Sequence, residues 1–263
     1  MKSEFSEFSY GFLLCAEIIN NKRRRQTISS VPRFPSLLAE AKIGYDVEIP
    51  RRGLPLFLQF KLAQYLKPNS RAICSSSYNQ EFFRITLYKR TKSPQHNLLC
   101  RLAQTFPHVY YAAPAFYLER DFNRFFINKS IINNSVFIPL RRLKEIKDDN
   151  EHHITYIKTR LMGFKWHSEE GTYTEYPISG RDWLAHIEEG LGSSQDFDPE
   201  YFLSLRELLV DIIGKRRLRY ELNEASFPLL QNSDQSSVLR DIHYLLNAYF
   251  GCILIFLNSD NSE

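Results

Sequence analysis

Residues 54–62, LPLFLQFKL, set Leu56, Leu58, Phe60 and Leu62 at every second position, with Phe57, Gln59 and Lys61 between them. A period of two is the pattern of a β-strand, whose successive side chains point to opposite faces. Gln59 and Lys61 must then share one face of a strand whose other face is apolar throughout. An amide and an amine held together in that way make a site geometry. The bland alternative is an exposed sheet face that carries the pair by coincidence.

The preceding segment supplies a carboxylate. Ile43–Ile49 is short, partly β-branched and closed by Pro50, and the turn Pro50-Arg-Arg-Gly53 leads into the alternating strand. An antiparallel pairing across this turn brings Asp46, thirteen residues before Gln59 and fifteen before Lys61, toward the Gln59 side chain. Mg²⁺ takes oxygen ligands in octahedral geometry and keeps several waters, so a carboxylate, an amide oxygen and a backbone carbonyl suffice to hold it. A lysine beside the metal-bound water can help it ionise and can hold charge on an attacked phosphate.

The flanking segments predict an α/β arrangement. Residues 3–20 read as an amphipathic helix started by Ser3, with Phe5, Phe8, Phe12, Cys15 and Ile19 stacked on one face. Phe82–Tyr88 reads as a strand. Ser93-Pro94 marks the start of a helix running through Gln104, with serine as cap and proline at the first position. His108–Phe116 reads as a buried strand, Asp121–Lys129 as a short helix and Ser135–Leu140 as a strand. Beyond the turn at 147–151 the character changes. His152–Thr159 alternates like a strand, and Phe202–Ile213 and Ser237–Phe250 are helical. A division follows into a core over residues 1–150 and an accessory region over residues 151–263, mixed at first and then helical.

The pattern Gly44-Tyr-Asp-Val47, followed by LFLQFK, resembles the QxK variant of the PD-(D/E)xK nuclease superfamily, as in Mrr-like restriction endonucleases. There a glutamine replaces the usual acidic residue two positions before the lysine. The family core is a helix, three strands, a helix and a strand, an order in which residues 3–116 can be read. The resemblance implies an α/β, restriction-endonuclease-like core that hydrolyses phosphodiester bonds of DNA with Mg²⁺, or Mn²⁺ in its place, in defence against foreign DNA. It implies Asp46 as the main metal ligand, Gln59 and the Phe60 carbonyl beside it, and Lys61 as the catalytic lysine. A glutamate from the first helix often joins such sites, and Glu7 and Glu17 are both candidates. Gln95, opening the second helix, is placed to line the same cleft.

Charge distribution points toward a polyanion. Residues 1–150 carry 24 Lys and Arg against 12 Asp and Glu, whereas residues 151–263 carry 10 against 18. The first part then suits nucleic acid, with the cluster Lys22, Arg23, Arg24 and Arg25 tracking a phosphate backbone. Cations after a helix C-terminus also have a purely structural reading. Lys215–Arg219 reads the same way.

Other features narrow the classes. Cys15, Cys74, Cys100 and Cys252 lie far apart, without a CxxC pair, as reduced core cysteines do. The start of the chain carries glutamates where an export signal carries positive charge, and no apolar run reaches the roughly 18 residues of a membrane span. A cytoplasmic protein is expected. P-loop, GxSxG and dinucleotide motifs are lacking. His152-His153 reads as a solvated turn rather than a metal pair, His96 as an exposed histidine at a helix start, and Tyr110 and Tyr111 as core. Two rivals to the nuclease stand beside it: a catalytically silent nuclease fold that binds nucleic acid or assembles with protein partners, and an interaction protein that self-associates into a homo-oligomer through its charge asymmetry.

Overall fold

The structure, a computed structural model, describes residues 1–20, 52–68, 78–89, 91–158, 164–168, 171–175, 178–193, 195–215, 217–218 and 235–258. Asp46, the expected strand Ile43–Ile49, Lys22–Arg25 and Cys74 lie outside the described residues.

Alternation in residues 54–62 produces a strand buried on both faces. β1 (Arg52–Phe60) is the centre of a mixed, six-stranded sheet. It runs parallel to β4 (Val109–Pro114) and antiparallel to β11 (Ile253–Asn258). β4 in turn pairs antiparallel with β5 (Ser135–Pro139), and β5 with β9 (Ile178–Ser179). β10 (Gln195–Asp196) adds to the start of β1. A second sheet is antiparallel throughout, in the order β2 (Gln64–Leu66), β3 (Phe82–Leu87), β6 (His152–Tyr156), β7 (Phe164–Ser168) and β8 (Gly171–Glu175).

Among the described residues six α-helices accompany the sheets: α1 (Glu7–Ile19), α2 (Gln95–Thr105), α3 (Glu119–Ile127), α4 (Gly180–Leu191), α5 (Pro199–Ile213) and α6 (Gln235–Leu245). The two faces of the mixed sheet build separate cores. Leu54, Leu56, Leu58 and Phe60 join Tyr110, Phe137 and Ile255 against α1, α3 and α4. Phe57, Tyr111, Ile138, Leu254 and Phe256 face the other way, against α2, α5, α6 and the second sheet. Each large apolar side chain so buried contributes about 1.5–3 kcal/mol before chain entropy is counted. The class is α/β with a mixed sheet, helices covering both faces.

Several expectations need correction. The antiparallel neighbour of β1 over Gly53–Leu58 is the distant β11. The strand at 82–87 forms as expected but belongs to the second sheet, with β2, so the strands described between α1 and α2 are not all in one sheet. Both sheets draw strands from either side of residue 150: β6 pairs with β3, and β11 with β1.

Helix α1 buries a different stripe from the predicted one. Its inner face is Tyr10, Gly11, Leu14, Cys15 and Ile18, while Phe8 and Phe12 are 63% and 52% exposed. A Cβ on Gly11 would meet the Phe60 ring at 2.5 Å, so the glycine lets the helix lie close on β1 and selects that stripe. The start of α1 is capped by Ser6, whose Oγ accepts from the Ser9 amide at 2.9 Å, not by Ser3. Pro94, rather than Ser93, precedes α2, and no side chain caps it. Asp198 caps α5, its carboxylate accepting from the Tyr201 amide at 2.7 Å, with Pro199 at the first helical position. Cys15, Cys100 and Cys252 are buried free thiols. Among the described residues no helix is long and apolar enough to cross a membrane.

Candidate active site at the end of β1

Gln59 sits in the last turn of the β1 ladder, opposite Tyr111 of the parallel β4. The period of two turns its side chain toward α2, onto the face of Phe57 and away from Leu58 and Phe60. There it is 3% exposed. Its Nε2 donates to the Phe250 carbonyl at 3.0 Å and to Gln95 Oε1 at 3.2 Å. The Phe250 carbonyl can only accept, which fixes the amide orientation. Gln59 Oε1 is thereby left as a buried acceptor with no hydrogen-bond partner among the described residues.

The Phe250 carbonyl reaches the site by an unusual backbone path. After α6 the chain widens into a π-helical turn, Leu246–Phe250, and stops at Gly251 in the left-handed conformation, φ +60°. A Cβ at Gly251 would lie 2.7 Å from the Gln95 amide nitrogen and 2.8 Å from that of Gln59. Glycine is thus required twice here, by its backbone and by the amides above it. π-Turns are rare and frequently occur at functional sites.

Lys61 follows β1 directly, its amide donating to the Ala112 carbonyl at 3.0 Å. Its half-buried amine lies 5.8 Å from the centre of the Tyr111 ring. Burial lowers the Lys61 pKa, and the charge of Glu7 partly restores it. Glu7 is exposed as a residue, but its carboxyl end folds in to accept from the Leu62 amide at 3.3 Å. Partial burial raises the Glu7 pKa, opposed by Lys61 and by that amide.

Behind these groups the polar chain continues inward. Tyr111 Oη lies 2.9 Å from His96 Nδ1, and His96 Nε2 lies 2.8 Å from the Lys144 carbonyl. A carbonyl accepts only, so Nε2 carries the proton and Nδ1 accepts from the tyrosine. His96 is therefore a buried neutral imidazole, its pKa pushed down to about 4 by burial. It stacks on Trp166, which stacks in turn near His152.

The structure joins Gln59 to Gln95 on the α2 side of the sheet and sets the Glu7 carboxylate, from α1, on the Leu62 amide, where its charge acts on Lys61. Glu17 has no part in either contact. That carboxylate accepts from the amides of Ile131 at 2.6 Å and Ile132 at 3.3 Å, fastening α1 to the single-turn helix at 132–134. The Phe60 side chain packs on the opposite face, under α1. The histidine expectations are corrected: His96 is buried in the network above, and His152 and His153 are 3% and 4% exposed at the start of β6, with His152 2.8 Å from Asp148. Tyr110 and Tyr111 are core residues. Phe250, Gly251 and the Tyr111–His96 bond were not read from the sequence. A glycine between the apolar runs at 248–250 and 252–257 was the one local sign of a turn there.

The donor set fits a hard divalent cation in kind: a carboxylate at Glu7 and an orphaned buried amide oxygen at Gln59 are both oxygen donors. No group of three His, Cys, Asp or Glu side chains able to hold a metal occurs among the described residues. Comparison with protein-family models, with curated proteins and with solved structures returns no match.

Proposed function

We propose that the chain is a metal-dependent nuclease with a restriction-endonuclease-like core, hydrolysing phosphodiester bonds of DNA at the end of β1. The observation that carries this reading is the buried Gln59 amide, oriented by Phe250 and Gln95 so that its oxygen has no donor among the described residues, two residues from Lys61. A buried polar atom without a partner costs stability, and a bound water or ion would offset that cost.

In this reading Glu7 and Gln59, with Asp46 from outside the described residues, would hold Mg²⁺ or Mn²⁺. When bound, such an ion supplies charge neutralisation at the phosphate and a more acidic water. Lys61 holds the charge that develops on the attacked phosphate, in a half-buried position where electrostatic interactions are stronger than in water. The charge of Glu7 offsets part of the effect of burial on Lys61. Gln95 and Gly251 fix the Gln59 rotamer, and the positive balance of residues 1–150 attracts the polyanion.

A catalytically silent, nucleic-acid-binding form of the same fold is favoured by one feature, the glutamine standing where a carboxylate would bind metal more strongly. Purified protein incubated with plasmid DNA and Mg²⁺ or Mn²⁺, beside Lys61→Ala, Asp46→Ala and Glu7→Ala, separates the readings. Cutting that needs metal and falls at least a hundredfold in all three variants supports the nuclease. Equal cutting by every variant overturns this site, and binding without cutting favours the silent form.

A further inference from the structure

Beyond the carboxyl ends of β1 and β4 lies an open cavity of about 760 Å³. β1 and β4 are the parallel pair of the mixed sheet among the described residues. Crevices past the carboxyl ends of parallel strands are the usual ligand positions in α/β sheets. Here β1 continues through Lys61 into β2, and β4 continues into Ala115–Tyr117. The cavity wall takes Tyr65 and Phe83 from the second sheet, Phe116 and Tyr117 from the β4 extension, and Lys67 and Lys158 as its cations.

Two features make this more than a surface dent. The Tyr65 and Tyr117 rings stack at 4.3 Å between centroids and 18° between planes, giving a firm aromatic wall. The first residues of the chain tie the two sides together: the Tyr65 amide donates to the Met1 carbonyl at 2.9 Å, Ser3 Oγ to the Ala63 carbonyl at 3.3 Å, and the Glu4 amide to the Tyr117 carbonyl at 2.9 Å. The cleft is pre-formed, and a ligand entering it would not have to order its walls.

Charge decides what it would take. Glu81 and Asp121 also line the cavity; Asp121 pairs with Arg124 at 2.8 Å, while the Glu81 carboxylate bonds the Tyr65 hydroxyl and offsets one lysine, so the two lysines leave a surplus of one positive charge. Lys67 is exposed, and Lys158 lies 5.6 Å from the Phe125 ring. Aromatic faces with flanking lysines suit a flat heterocycle attached to phosphate. Bases stack on aromatic side chains regardless of sequence, provided they are unpaired. Tyr65 is four residues beyond Lys61, at most about 14 Å of extended chain, so a strand crossing Lys61 reaches the cavity within a few nucleotides.

We propose that this cavity receives an unpaired base of the nucleic acid strand lying over Lys61, stacked on the Tyr65–Tyr117 wall, with Lys67 and Lys158 on the adjoining phosphates. The proposal rests on the nuclease reading of the Lys61 site for its choice of ligand. The site would thereby favour single strands, frayed ends or locally opened duplex over intact duplex.

Fluorescence anisotropy with a labelled single-stranded oligonucleotide and its duplex, in EDTA so that nothing is cut, tests it on the full chain. Wild type is expected to bind the single strand more tightly than the duplex. Tyr117→Ala should weaken single-strand binding about tenfold, while Tyr117→Phe, which keeps the ring, should retain it. Lys67→Glu with Lys158→Glu should weaken binding and lower its salt dependence by about 1.4 in the log–log slope, two phosphate contacts of single strand. Single-strand affinity equal in wild type, Tyr117→Ala and Tyr117→Phe, or no binding by wild type, overturns the proposal. Tyr117-dependent binding without metal-dependent cutting leaves this site standing and sinks the nuclease reading alone. Metal-dependent cutting with Tyr117-independent binding does the reverse.

Discussion

The side chain of Gln59 donates to the backbone carbonyl of Phe250 at 3.0 Å, across 191 positions of sequence. The carbonyl is available because Phe250 ends the π-turn, and the final carbonyls of a helix have no amide within the helix to accept from. A residue at the end of the central strand is thus oriented by backbone near the end of the chain. The candidate site is completed only when β11 has docked on β1 and brought this turn with it.

Gly251 is the most exacting position in this arrangement. A side chain in the left-handed region costs about 1–2 kcal/mol, and here its Cβ would also press on both amides at 2.7 and 2.8 Å. Gly251→Ala is expected to lower unfolding stability by about 2 kcal/mol. It should also displace Gln59, so cutting by the folded fraction should fall as well. A urea unfolding series alongside the plasmid assay checks both, and a variant of wild-type stability would contradict the close approach.

The two glutamates of α1 should separate by phenotype. Glu17 accepts two backbone hydrogen bonds at the join between α1 and residues 131–132, and charge-assisted bonds contribute about 1.5–3 kcal/mol. Glu17→Ala is expected to destabilise by about that much while leaving activity per folded molecule unchanged. Glu7→Ala should do the opposite, with little change in the denaturation midpoint and a large loss of cutting. If Glu17→Ala abolished cutting at full stability, the assignment of roles would be wrong.

Acid should unfold the protein partly through its buried and half-buried histidines. His96, His108 and His167 are each pushed down to about 4 by burial, from an ordinary value of 6.5. Between those values the unfolded chain binds protons that the native state does not, so stability falls as pH drops from 6.5 toward 4. For fully buried His96 the whole window is worth on the order of 3 kcal/mol. His96→Gln is expected to flatten the pH dependence of the urea midpoint by about one proton in this range, relative to wild type. Raised carboxyls at Glu7 and Glu17 act with the opposite sign, and the wild-type-to-variant difference isolates the imidazole. Parallel curves would show that His96 titrates normally in the native state.

The sequence by itself determined the strand through residues 54–60, the face that Gln59 takes on it, and the α/β class. A period of two is a property of local backbone geometry and does not depend on what the strand packs against. The helices at 199–213 and 119–127 and the strand at 109–114 were legible for the same local reasons, caps and apolar runs. Tertiary structure alone decided the strand partners, because hydrogen-bond edges carry no side-chain signature and β11 pairs with β1 from the far end of the chain. It also chose between two apolar stripes of α1, where the Gly11–Phe60 approach outweighed the phenylalanine periodicity. The roles of Glu7 and Glu17 were decided in the same way. Both sit on one helix, and only the packing around each shows that one carboxylate reaches the Leu62 amide beside Lys61 while the other binds the amides of Ile131 and Ile132.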